Sequence, residues 1–98
     1  MDELRFSWDP RKAKSNLRKH GVSFEEAETV FFDEHALLID DPEASPTEDR
    51  FVVLGLSAKP RVLLVCHCLR EDGQLIRIIS ARRPNKNEER EYWERVKR

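Results

Sequence analysis

Residues 61–83 read RVLLVCHCLR, then EDG, then QLIRIISARR. The two outer runs are rich in β-branched and other apolar residues, the profile of strands on a half-buried pleated surface. Between them Glu71, Asp72 and Gly73 supply turn chemistry, so the pair is a hairpin. A third run of the same kind, 50–57, joins through Ala58, Lys59 and Pro60. Connections this short make the three strands an antiparallel meander.

Upstream, Leu4, Phe6 and Trp8 alternate with Arg5 and Ser7, as a short first strand with one buried face requires. Asp9 then offers an N-cap with Pro10 at the first helical position, Trp8 can staple onto Ala13, and Gly21 closes the helix after Lys19 and His20. Ser23 opens a second helix. Glu26 stands three residues on, completing a capping-box signature, and Phe24, Ala27, Val30 and Phe31 form its apolar stripe. A short strand is expected at 36–39 and an acidic loop with Pro42 and Pro46 at 40–49. After Pro84, the run Asn85, Lys86, Asn87, Glu88 starts a last helix whose apolar side carries Tyr92, Trp93 and Val96. The predicted class is α+β: an antiparallel β-sheet meander with two N-terminal helices and a C-terminal helix, one domain over 1–98.

A chain of 98 residues can bury one modest core. No apolar stretch approaches the roughly 20 residues that span a bilayer, and the start Met1, Asp2, Glu3, Leu4, Arg5 lacks a signal peptide's basic and apolar segments. A soluble, cytoplasmic protein with no membrane partner is expected. Cys66 and Cys68 lie two apart in a strand and share a face, which suits an unstrained disulfide poorly; they are expected as reduced core residues. No second paired-ligand motif completes a metal site around them, and there is no Gly-rich phosphate loop and no nucleophilic triad signature. The expectation is chemistry without metal or cofactor.

Charge is unevenly spread. The net charge is -1, yet residues 26–49 hold nine acidic residues and no Lys or Arg. The rest of the chain holds 18 basic against 10 acidic residues, a net +8. Such asymmetry points to a basic surface for a phosphate backbone and an acidic region for a basic partner.

Arginines supply the candidate site. Arg77, Arg82 and Arg83 stand in or just beyond the last strand, where their planar forks can grip phosphate oxygens from two sides. His67 in the middle strand is a candidate proton carrier, with Arg50 on the first meander strand adding positive charge. If Glu71, Asp72 and Gly73 form a three-residue loop, His67 lies opposite Arg77; a two-residue turn of Asp72 and Gly73 puts it opposite Ile78. The first helix sets Lys12, Asn16 and Lys19 on one face, with Ala13 and Leu17 expected toward the core.

These residues carry a family likeness. Trp8, Asp9 and Pro10, the run from Lys19 to Ala27, Arg50 with Phe51, Gly55 with Ser57, the run from Arg77 to Arg83, and Glu89, Arg90 and Tyr92 occur in order over nearly the whole chain. In these blocks the chain resembles the BrnT family of bacterial type II toxins. The resemblance implies a RelE-like ribonuclease fold, RNA cleavage, and silencing by a cognate BrnA-like antitoxin in a hetero-oligomer, with DNA contacted only through that antitoxin.

Together these readings predict a metal-independent endoribonuclease in which the RNA 2'-hydroxyl attacks the adjacent phosphate. Arg77 and Arg82 would stabilise the phosphoryl charge, with Arg50 beside them. His67 would act as acid or base, with Glu48 an alternative base. Lys12, Lys19 and Arg83 would hold the RNA backbone. An antitoxin would cover the basic surface or grip the acidic region, with Tyr92 and Trp93 as an added anchor. The competing reading is a noncatalytic binding module for protein or nucleic acid, which would yield no RNA fragments.

Overall fold

The computed structural model describes residues 4–40 and 50–98. Along the chain run β1 (Arg5–Ser7), α1 (Pro10–His20), α2 (Phe24–Thr29), a 3-10 turn (Val30–Phe32), β2 (Leu37–Asp40), β3 (Arg50–Leu56), β4 (Val62–Arg70), β5 (Leu75–Arg82) and α3 (Lys86–Val96). The strands form one sheet in the order β1-β5-β4-β3-β2. The meander is antiparallel as expected from its short connections, and β2 extends it. The difference is β1, which pairs with β5 in parallel. Its partner lies far along the chain, so no turn chemistry announces the pairing.

The helices begin where their caps place them. The Asp9 side chain accepts from the Arg11 N–H, and Gly21, at φ 69°, closes α1 in the left-handed region that its missing Cβ makes inexpensive. Ser23 caps α2 by accepting from the Glu26 N–H. Glu26 does not return the bond. Its carboxylate turns inward and takes three donors: the Ser57 hydroxyl at 2.7 Å, Arg61 Nε at 2.8 Å and Arg61 Nη2 at 2.7 Å. Arg61 also donates to the Gly21 carbonyl, so one ion pair ties both N-terminal helices to the β3–β4 turn.

Two apolar clusters form on the two faces of the sheet. On one, Val22, Phe24, Ala27 and Val30 pack over Val53, Leu63, Val65, Ile76, Ile78 and Ala81. On the other, Tyr92 and Val96 of α3 pack on Leu54, Leu56, Val62 and Leu64. The 3-10 turn approaches β3 so closely that a Cβ at Gly55 would lie 2.8 Å from Val30 Cγ1 and 3.2 Å from Asp33 Oδ2. Asp33 uses that closeness. It accepts from the Leu56 N–H at 2.8 Å and from the Tyr92 hydroxyl at 2.6 Å, joining the turn, β3 and α3.

Helix α1 meets the sheet through a polar residue. Leu17, expected toward the core, is 52% exposed, and Asn16 is buried in its place. Because β1 pairs only as far as Arg77, the remainder of β5 is an edge whose backbone groups need partners. The Asn16 side chain supplies them, accepting from the Ala81 N–H at 3.0 Å and donating to the Ala81 carbonyl at 2.8 Å, with a further bond to the Val22 carbonyl at 2.9 Å. The amide behaves as a short piece of β-strand. Asn16 is therefore a clamp between α1 and β5 rather than one of the solvent-facing residues of the basic helix face.

Two stability outcomes follow from these contacts. Asn16→Ala strands the Ala81 N–H and two carbonyls, and chemical denaturation should find it less stable by about 2–4 kcal/mol; a loss under about 0.5 kcal/mol would mean that water replaces the amide freely. For Glu26, hydrogen bonds from Arg61 chiefly, opposed by burial and assisted by Ser57, hold the carboxyl below its ordinary 4.5. A carboxyl depressed on folding stabilises the protein fully above its unfolded value and loses that contribution as pH falls through the folded one. Stability should thus decline below pH 4.5, and Glu26→Gln should be about 1–3 kcal/mol less stable at pH 7 with a shallower acid limb. Parallel acid limbs in mutant and parent would remove Glu26 as a source of the decline.

Candidate functional site

Strand register decides which side chains share a surface, because directly paired residues in adjacent strands project to the same face. Cys68 pairs with Arg50 on one side and Arg77 on the other, and Arg77 pairs in turn with Ser7. Arg50 and Arg77 therefore stand on one face, two strand spacings or about 10 Å apart at the backbone, with the Cys68 thiol between them. One rung along, Cys66 pairs with Ser80, and next Leu64 pairs with Arg82. The face that carries Arg50, Arg77 and Arg82 is covered by α3 only over its Leu54, Val62 and Leu64 end. Neither Cys66 nor Cys68 is in a disulfide, and both are buried.

The three arginines differ in their surroundings. Arg77 is exposed, with only a long 3.5 Å contact from Nη1 to the Ser7 hydroxyl. Arg50 is half-buried, and its Nη2 lies 3.6 Å from Cys66 Sγ. Arg82 is engaged, its two terminal nitrogens each donating at 3.0 Å to one oxygen of Glu88. Glu88 closes a true capping box on α3, accepting from the Asn85 N–H while the Asn85 side chain accepts from the Glu88 N–H. The Arg82 hydrogen bonds first, against burial and helped by the Asn85 N–H, hold the Glu88 carboxyl below its ordinary range. Arg82 is thus an element of the α3 attachment as well as a cation of this face.

His67 stands elsewhere. It pairs with Phe51 and with Ile78, the second of the two registers open from the sequence, and the β4–β5 pairing shifts between Cys66 and His67 so that Ile79 is the extra residue. Glu71 and Asp72, at φ 51° and 57°, and Gly73, at φ 85°, all turn through the left-handed region in that hairpin. His67 consequently projects into the helix-covered core, 1% exposed, its ring edge-on to Phe31 at 4.8 Å between centroids. Burial lowers its pKa, only partly offset by the contact to the Val65 carbonyl. The expected proximity of His67 to Arg77 does not occur; the sheet lies between them. Glu48 falls outside the described residues.

Lys12 and Lys19 line a cleft of about 180 Å³ between α1 and the edge of β5, together with His20 and Ser80. Ser80 belongs to both features, since it lies in the cleft and pairs with Cys66 on the arginine face. Arg83 is exposed just beyond β5. On the last helix, Tyr92 is a core residue at 2% exposure, whereas Trp93 is 41% exposed with Nε1 donating to Glu89. Sequence reading missed the Glu26–Arg61 pair, the Asp33–Tyr92 bond and the place of His20 in the cleft. For the first the signal existed, because a capping-box glutamate can be diverted by a nearby arginine, but nothing in the sequence sets Arg61 beside it.

A family model described as the ribonuclease toxin, BrnT, of type II toxin-antitoxin systems matches residues 8–88. No curated protein matches. Among solved structures, the crystal structure of the Brucella abortus ribonuclease toxin BrnT shares the fold, with a TM-score of 0.65 at 20% identity over 85% of this chain and 99% of that one. The matched residues run from Trp8, just ahead of α1, to the Glu88 that caps α3, and so include Arg50, Arg77 and Arg82 of the sheet face and Lys12, Lys19 and His20 of the cleft. The chain belongs to the BrnT family of ribonuclease toxins of type II toxin–antitoxin systems.

Proposed function

We propose that this toxin cleaves RNA internally at the sheet face that carries Arg50 and Arg77, without a metal ion. The RNA 2'-hydroxyl oxygen bonds to the adjacent phosphorus as the bond from phosphorus to the 5' oxygen breaks, leaving a 2',3'-cyclic phosphate and a 5'-hydroxyl end. Such a reaction needs in-line positioning and stabilisation of charge on the non-bridging oxygens, and guanidinium groups supply both. The observation that carries the reading is the rung that holds Arg50 and Arg77 on either side of Cys68 on one face of the sheet. Arg77 is the principal phosphate ligand in this proposal and Arg50 its partner. Arg82, already neutralised by Glu88, orients the end of β5 and adds a weaker field. Lys12, Lys19 and Arg83 hold the flanking RNA backbone, and His67 is assigned to packing.

Membership in a type II toxin–antitoxin family implies an antitoxin partner. In the present proposal that partner is a BrnA-like protein in a hetero-oligomer, and it silences the toxin by covering the basic cleft and the arginine-bearing face. No helix among the described residues is long and apolar enough to cross a membrane, and the cytoplasm, where RNA and antitoxin are made, is the inferred setting.

Incubating the antitoxin-free toxin with RNA in excess chelator tests the chemistry. Cleavage should persist and yield cyclic phosphate ends; cleavage that disappears on chelation would sink the metal-independent route, and none at all would favour a binding module. Arg77→Ala should slow cleavage roughly tenfold to a thousandfold with the fold intact, and Arg77→Lys should recover only part, because a lysine restores charge without the two-pronged geometry. The saturated complex with antitoxin should be inactive, with salt weakening any contacts at its rim. Full ribonuclease activity in that complex would refute silencing by occlusion.

A further inference from the structure

We propose that His20, at the end of α1, is the general base of the cleavage reaction; the inference rests on the ribonuclease reading above and deepens it. A site on the sheet face needs a proton acceptor within reach of the 2'-hydroxyl, and the chain has three histidines. His67 is sealed in the core on the other face. His35 lies at the α3 side, its Nδ1 4.0 Å from Asp33 Oδ1 and its carbonyl accepting from Arg95. His20 alone lines the basic cleft, where Lys12 and Lys19 can hold a phosphodiester.

The cleft leads to the arginine face. Ser80 forms its β5 wall, and Ser80 pairs with Cys66, one rung from the Cys68 rung of Arg50 and Arg77. Neighbouring rungs on a face are about 7 Å apart, so a single nucleotide can bridge the two features. The walls are held in place by Asn16, whose amide bonds both edge groups of Ala81. A base mounted on a helix clamped in this way keeps its geometry without a closing loop.

In the step assigned to it, the neutral imidazole takes the 2'-hydroxyl proton as the oxygen bonds to phosphorus. The electron pair of the breaking bond leaves on the 5' oxygen, which takes a proton from water, and the imidazolium returns its proton to solvent. The charged groups around His20 are Lys12 and Lys19 on its own helix and Arg61 from the β3–β4 turn, which donates to the neighbouring Gly21 carbonyl and is paired with Glu26 of α2. Ile79 and Ser80 of β5 bring no charge to the cleft.

The test compares the full-length toxin with His20→Gln and His20→Ala in single-turnover cleavage across pH, alongside binding of a 2'-deoxy oligonucleotide that cannot be cleaved. His20→Gln should slow cleavage by about 100- to 10,000-fold and abolish the fall in rate at acid pH, while deoxy-oligonucleotide affinity stays within about threefold. Added imidazole should partly restore His20→Ala. A variant that keeps the parent's rate and pH profile overturns the assignment. So does an equal loss in rate and affinity, which marks a phosphate ligand. A parent protein that cleaves no RNA fails at the earlier step and overturns the ribonuclease reading of the site itself.

Discussion

Which face a strand residue occupies is fixed by pairing, and in this sheet one pairing decides which side chains stand together. With Cys68 between Arg50 and Arg77, the two guanidinium-bearing strands present their charge to one surface, and the neighbouring residue His67 must point the other way. A slip of one residue would exchange them, setting an imidazole among cations and a thiol against Phe31. The apolar residues forbid the slip. Leu63, Val65, Ile76 and Ile78 are at most 4% exposed, and turning them outward at about 25 cal/mol per Å² of apolar surface would cost far more than any hydrogen bond gained. The extra residue at Ile79 then lets β5 stay in phase with β4 on both sides of the shift.

Three carboxylates fasten the helices to this frame. Glu26 joins α2 to the β3–β4 turn through Arg61, Asp33 joins the 3-10 turn to β3 and to Tyr92 of α3, and Glu88 joins α3 to the end of β5 through Arg82. Burial raises the Tyr92 hydroxyl pKa first of all, and the Asp33 bond and charge raise it further. At Asp33 burial is the largest single influence and acts upward, yet the combined bonds from Tyr92, Leu56 and His35 outweigh it and keep the carboxyl low. Each carboxylate is satisfied by several donors, the condition under which a buried charge ceases to be a liability.

Local signals in the chain are sufficient for the meander, all three helices and their N-cap side chains, though not for the capping box expected of Glu26, because strand alternation, turn residues and capping side chains act within a few positions. They are not sufficient for the long-range partners. The parallel β1–β5 pairing, the Glu26–Arg61 bridge and the Asn16 clamp join positions whose meeting depends on how the whole chain packs. Leu17 shows the consequence: residue type directs an apolar side chain inward, whereas the unpaired edge of β5 needs a donor and an acceptor, which asparagine has and leucine lacks. At the candidate site the arginines were legible as cations on a strand. Their grouping, and the removal of His67 from it, hung on a register that two turn lengths left open.

The charge pattern also reads differently once folded. Of the nine acidic residues in 26–49, Glu26 is neutralised by Arg61 and Asp33 is bonded within the fold, so part of the acidic run serves internal attachment. Arg61 and Arg82 are occupied in the same way, and neither offers a full charge to a ligand. Lys12, Lys19 and Arg77 make no ion pair among the described residues. The molecule extends about 30 Å in every direction, whereas a charge in physiological salt is screened over about 8 Å. A phosphate at the cleft therefore responds to the nearest cations and hardly at all to carboxylates across the molecule. A net charge of -1 is compatible with an RNA-binding surface because the quantity that matters is the unpaired charge within a Debye length of the backbone.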